Sequence, residues 1–240
     1  DGAGSAGSRA AGGGPRGGLA VARLLTGSRW CLRVGRAGGR CLVCRLLTAR
    51  RRVLPMAAVP LNIEASVVGA DPARPLGITT VRGQVEVART TGRVMAVRLN
   101  PEEPPACDEA VAAIRAADWV ILGPGSWFTS VIPHLLVPGL RDALMDTPAK
   151  RILTLNLVMH TGETVGFSAE NHLEVLAAHA PSLHLDVVLA DPEIVGDEGL
   201  LRRVAGRMGA ELVLAKVGDH GQQGHHDSLR LAAAYRDIIG

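Results

Sequence analysis

From residue 52 onward, apolar positions recur with two alternating periods, and the chain reads as strands interleaved with helices. Residues 61–68 and 80–88 place apolar side chains at nearly every second position, which predicts two strands. Thr90-Thr91-Gly92 then reads as a turn and residues 93–99 as the hairpin partner of the second strand. Prolines 101, 104 and 105 mark a loop, after which Asp108 can cap a helix reaching Ala116. Trp119-Val120-Ile121-Leu122 is an uninterrupted apolar run, suited to a strand buried on both faces. Residues 131–144 have helical spacing, with Pro133 in the first turn and Pro138-Gly139 as a kink or division. Strands are expected at 151–158, 185–190 and 211–215. Helices are expected at 168–179 (capped by Ser168), 198–208 and 227–239. Strand–helix alternation with fully apolar strands predicts an α/β fold, a mainly parallel sheet with helices on both faces.

Composition divides the 240 residues in two. The first 52 hold eleven arginines, no lysine and one acid, a local charge of +10, and the remainder carries −7. Three readings of this Arg/Gly-rich, low-complexity head (residues 1–51) stand side by side: a basic tail for nucleic acid, an organellar transit peptide, and the product of GC-rich DNA read in a wrong frame or from a misassigned start. Position 1 is Asp, with no initiator Met. Six aromatics in the whole chain speak against a base-stacking platform, so nucleic acid ranks last among partners. No uncharged apolar run has the length of about 20 residues that a membrane span needs. Cys41 and Cys44 form a CxxC without a second pair at zinc spacing, and 12–18 (GGGPRGG) lacks both the preceding strand and the Lys-Ser/Thr of a phosphate loop. Neither a metal site nor a disulfide framework is expected.

In a parallel sheet, ligands sit beyond the carboxyl ends of the strands, so the loops there carry the candidate chemistry. The first joins the 119–122 strand to the next helix: Gly123, Pro124, Gly125, Ser126, Trp127, Phe128, Thr129 and Ser130. Its glycines allow close backbone approach, its three hydroxyls can bind polar groups, and the following helix start favours an anion. The alternative is a tight turn with a helix cap. In the second loop Asn156 reads either as a contact to a base or sugar edge or as a satisfied core amide. His160 and Glu163 read as acid or base, with Glu163 alternatively a cap. His172 and His179 read as surface residues, and His220, His225 and His226 as part of a solvated loop. Ser126 lacks the GxSxG order of a nucleophile elbow.

The run 117–140 (ADWVILGPGSWFTSVIPHLLVPGL), together with Arg52-Val53-Leu54-Pro55, Arg82-Gly83-Gln84-Val85, Asn156-Leu157-Val158, Gly162-Glu163-Thr164 and Gly166-Phe167-Ser168, resembles the gluconeogenesis factor (YvcK-like) family. That family shares the CofD-like fold with 2-phospho-L-lactate transferase, and the matches keep its order across residues 52–240. The resemblance implies a three-layer, Rossmann-like architecture and a cytoplasmic regulatory protein. It further implies a role in cell shape and morphogenesis during gluconeogenic growth, and a nucleotide sugar such as UDP-N-acetylglucosamine as ligand. By analogy Gly123, Pro124, Gly125, Ser126, Phe128, Thr129, Ser130 and Asn156 would face it. The alternative is a transferase acting on a nucleotide-linked phospho-substrate; no other cofactor is implied, and homo-oligomerisation stays open. The family's N-terminal motifs (GGGxG, Asp-Asp-Gly-Gly-Ser-Ser-Gly, Gly-Asn) do not occur before Arg52. Residues 52–240 therefore read as the C-terminal part of a CofD-like domain, with an open apolar sheet edge and weakened nucleotide-sugar binding as the expected results.

Overall fold

The computed structural model describes residues 19–21 (backbone), 54–158, 162–164, 166–219, 221–222 and 224–240. Its centre is a parallel sheet of β1 (Leu19–Val21), β5 (Trp119–Leu122), β6 (Lys150–Thr154), β7 (Val187–Ala190) and β8 (Glu211–Leu214), in that order across the sheet. A second sheet, antiparallel, is formed by β2 (Asn62–Val68), β3 (Ile78–Arg82) and β4 (Arg93–Asn100), with β2 in the middle. The helices are α1 (Gln84–Ala88), α2 (Asp108–Arg115), α3 (Pro138–Asp146), α4 (Ala169–His179), α5 (Glu198–Arg207) and α6 (Ser228–Ile239).

The apolar runs read from the sequence become the inner strands. β7 is buried at all four positions and β5 at its last three. From β5 to β8 each strand lies beside its predecessor, so every crossover steps the same way. Right-handed crossovers then place α3, α4 and α5 on one face. Side-chain packing agrees. Val120, Leu122, Leu153, Val188 and Leu212 join the core that contains Leu140, Leu144, Leu173, Leu176 and Leu201. Ile121, Ile152, Val187 and Leu189 point the other way, onto Leu231, Tyr235 and Ile238 of α6. The antiparallel sheet adds Ile63, Ala65, Val67, Val94, Val97 and Leu99 to the first core.

Three helices start at side-chain caps, but α2 does not: Cys107 rather than Asp108 stands at its N-cap without a side-chain capping bond, and Asp108 lies in its first turn, where its charge suits the positive helix end. Ser168 and Asn171 form a reciprocal capping box, Asp197 accepts from the Leu200 amide at 2.8 Å, and Asp227 accepts from Leu229 and Arg230. The other end of α3 is closed from outside. The buried Arg151 guanidinium donates to the carbonyls of Leu144, Met145 and Thr147 at 2.7–3.1 Å, matching a cation to the negative end of the helix.

Four local expectations are corrected. The 80–88 strand ends at Arg82: Gly83, at φ 103°, gives its amide to the Ile63 carbonyl and turns the chain into α1. Its Val85–Val87 alternation comes from a helix that buries Val87 and exposes Val85. Residues 93–100 do not form a hairpin with 80–88 either, because both β3 and β4 pair with β2. Glu64 thereby lies between Arg82 and Arg98 in register, and bonds both. The 131–144 helix, by contrast, is divided at Pro138 as its Pro-Gly pair implied: a 3-10 turn (Ile132–His134), itself preceded by a π-helical turn (Trp127–Val131), leads to α3, which starts at Pro138. The 151–158 strand ends at Thr154, where the chain leaves the sheet edge. The β5 edge is not open: the β1 backbone pairs with it in parallel, Leu19 to Trp119 through Val21 to Ile121. The remainder of residues 1–53 lies outside the described residues, and with it the CxxC, the GGGPRGG stretch and Arg52-Val53.

Candidate functional site

Each of β5, β6, β7 and β8 ends on the same edge, and the four following loops are tied to one another there. The loop after β5 turns sharply. Gly123 has φ 72°, and a Cβ on it would lie 2.6 Å from the Thr154 carbonyl oxygen, so only glycine fits between β5 and β6. Asn156, two residues beyond β6, grips the next peptide from both sides. The Gly125 amide donates to its Oδ1 and its Nδ2 donates to the Gly125 carbonyl, each at 2.8 Å. Of the two sequence readings of Asn156, the structure shows the satisfied amide, and its partner is the candidate loop.

The loop's other donors turn inward. Glu163 Oε1 accepts the Ser126 hydroxyl at 2.6 Å and the Phe128 amide at 3.1 Å, and the Trp127 amide also favours the carboxylate. Ser126 Oγ also touches Thr129 Oγ1. Burial pushes the Glu163 carboxyl above its ordinary value, against the pull of these three donors. The amide hydrogens expected to meet an anion at this bend are therefore engaged by Asn156 and Glu163. Gly123, Pro124, Gly125, Ser126, Ser130 and Asn156 are half-buried, and Phe128 and Thr129 are buried. Phe128 packs edge-on against Phe167, 5.9 Å between ring centres, which makes it a support beneath the loop.

The β7 and β8 loops form the other half. Asp191, directly after β7 and 3% exposed, accepts from the Val217 and Gly218 amides through Oδ2 (2.7 and 2.9 Å) and from Glu193 through Oδ1 (3.0 Å). Burial alone would raise its proton affinity. The three amides and nearby His226 outweigh that and hold the carboxyl below the ordinary range. One His226 ring nitrogen bonds the Leu155 carbonyl, and Nε2 is buried without a partner. Burial lowers its proton affinity against the favourable effects of Leu155 and Asp191. A continuous rim results: Gly125, Asn156, Leu155, His226, Asp191, Gly218.

Asp191 was missed in the sequence. Its signal was present, an acid immediately following a wholly apolar strand. Two histidine readings change. His172 is fully buried, edge-on to Trp127 (4.9 Å) and Phe167 (5.4 Å), and His226 is half-buried in the rim. His160 and His220 lie outside the described residues. Among the described residues no three His, Cys, Asp or Glu side chains gather as a metal site, and no helix is long and apolar enough to cross a membrane.

Comparison with known proteins is consistent with this arrangement. Residues 41–220 match the family described as 2-phospho-L-lactate transferase CofD. A Mycobacterium tuberculosis protein named "Putative gluconeogenesis factor" is 52% identical over 192 residues, covering 79% of this chain. The "Gluconeogenesis factor" of Bacillus subtilis is 30% identical over 154 residues, covering 64% of this chain and 46% of that protein. This chain spans 56% of the length of the mycobacterial relative. Among solved structures, a UPF0052 family member from Bacillus halodurans superposes with a TM-score of 0.69 over 82% of this chain and 64% of that one, at 24% identity.

Proposed function

The chain belongs to the CofD family, beside proteins named gluconeogenesis factors, and from that premise we propose that its carboxyl-edge rim binds a phosphorylated small molecule, a nucleotide sugar of the UDP-N-acetylglucosamine kind. The observation that carries the reading is the double hydrogen bond between Asn156 and the Gly125 peptide. It fixes a glycine- and hydroxyl-rich loop at the place where parallel sheets take their ligands. The half-buried Ser126 and Ser130 supply hydroxyl oxygens for phosphate or sugar groups, Thr129 braces Ser126 from within, and Gly125 lets the ligand approach the backbone. Binding of this kind suits a protein that senses a cell-wall precursor and adjusts cell shape on gluconeogenic carbon sources.

Calorimetry with UDP-N-acetylglucosamine, UDP and free N-acetylglucosamine tests this. The two phosphorylated compounds are expected to bind and the free sugar is not. Asn156→Ala removes two hydrogen bonds of about 1 kcal/mol each, so affinity falls about tenfold or more while far-UV circular dichroism is retained. Equal affinity of variant and wild type, or equal binding of free sugar, would sink the reading. A second reading, a phospho-group transferase, is favoured by the family description and by the His226–Asp191 proximity at the rim. Turnover of a nucleotide-linked phospho-substrate, rather than binding alone, distinguishes it.

A further inference from the structure

Resting on that ligand reading, the role of Glu163 can be taken further. It stands on a 3-10 turn (Gly162–Thr164) and is 4% exposed. Its hydrogen bonds from the Ser126 hydroxyl and the Phe128 amide both end on Oε1, with the Trp127 amide also favouring the carboxylate, whereas Oε2 is buried and has no hydrogen-bond partner among the described residues. The donors it holds are those of the Ser126–Phe128 stretch, the part of the loop that would face a phosphoryl group. The protein has filled them with its own carboxylate.

We propose that Glu163 is a positioning residue that couples ligand binding at this loop to the uptake of one proton. A phosphoryl group arriving at Ser126 competes with the carboxylate for the same donors, and Glu163, relieved of them, takes a proton from solvent on its unpartnered Oε2. Two negative charges side by side in a poorly hydrated place repel strongly, and neutralising the acid removes the repulsion. Burial already biases this carboxyl toward its protonated form.

The surroundings leave Glu163 as the group that responds. The π-helical turn packed on it carries no charged side chain, and α1 offers neutral Gln84, bonded to the Thr129 carbonyl, and exposed Glu86. On β4 the charges are Arg93 and Arg98, both exposed, the latter bonded to Glu64. Helix α4 carries buried Glu170 and His172, the histidine set edge-on to Trp127. None of these charges acts on the Glu163 carboxyl, whose proton affinity is set by burial and its three donors.

The test is calorimetric titration of the full chain with UDP-N-acetylglucosamine, whose pyrophosphate changes no protonation in the range used, from about pH 8 down to about pH 5.5 in buffers of different ionisation heat. Wild type is expected to bind up to about tenfold more tightly for each unit the pH falls, with heats showing uptake of up to one proton. Glu163→Gln keeps an oxygen for the donors and removes the charge, so it is expected to bind without pH dependence and at least as tightly as wild type at the upper pH. The 13C shift of the Glu163 carboxyl in the wild-type protein, with and without ligand, reads the same event should the variant fold poorly. It is expected to move toward the protonated value on binding. Binding that ignores pH, or a variant weaker than wild type, overturns the coupling alone. A pH dependence that survives in Glu163→Gln assigns the proton elsewhere and overturns the role of Glu163. No binding at any pH overturns the ligand reading itself.

Discussion

Acidification from about pH 7 to about pH 4 is expected to remove about 3 kcal/mol of folding stability through His134, whose imidazole is held from its ordinary 6.5 down to about 4, at about 1.4 kcal/mol per pH unit. His134 lies in the 3-10 turn before α3, 6% exposed, between Pro133 and Leu135, with its Nδ1 3.3 Å from the Val131 carbonyl. Burial disfavours the imidazolium, and the Val131 and Ser130 backbone groups offset this only in part. The sign follows from proton counting. The unfolded chain takes up a proton near pH 6.5 and the folded chain does so near pH 4, so in between the unfolded state binds more protons and gains on the native state as pH falls. Urea midpoints measured across this range for wild type and His134→Gln should diverge, the variant giving the flatter curve. Parallel curves would show that His134 titrates normally. His226, whose proton affinity is also lowered by burial, adds in the same direction.

The second large effect belongs to Asp191. Replacing it with Ala removes the acceptor for three backbone amides, of which Val217 is buried, and is expected to destabilise the fold by about 3–5 kcal/mol. Asp191→Asn keeps one acceptor oxygen but turns an NH2 toward the other donors, so about half of that loss is expected. The native carboxyl is held below its ordinary 3.8. Its contribution is therefore fully present above that value and is lost as pH falls through the lower folded value. The Asn variant should show a shallower acid limb. It should also lower the proton affinity of His226 further, read by NMR titration of the imidazole, because the charge favouring its cation is gone. A loss below about 1 kcal/mol for the Ala variant would mean that the β8 loop is held by other contacts.

What the sequence made legible was what local chemistry decides. Trp119–Leu122 announced a buried strand because nothing in it tolerates water, and Ser168 announced a helix start through its side-chain oxygen. What stayed hidden depends on partners distant in sequence. Residues 80–88 alternate like a strand, yet Gly83 bonding to Ile63 ends it, and β2 rather than β3 accepts β4. In the rim, Gly123, Gly125, Ser126 and Asn156 were visible as residue types. That Asn156 and Glu163 occupy the loop's own amides could not be read from one-dimensional spacing, because both donors and acceptors were equally available to solvent or ligand. His172 looked superficial for the same reason, since its polarity says nothing of Trp127 and Phe167 closing over it.

The one-way winding from β5 to β8 has a consequence for biosynthesis. While the ribosome is still translating, α3, α4 and α5 can each settle as they emerge, but among the described residues Ile121, Ile152, Val187 and Leu189 gain their helical cover only when residues 228–239 follow and Tyr235 reaches Thr154. Nascent chains halted before that helix should therefore be the species that chaperones hold and that sticks to its neighbours, and release of those chaperones should coincide with delivery of the twelve-residue α6.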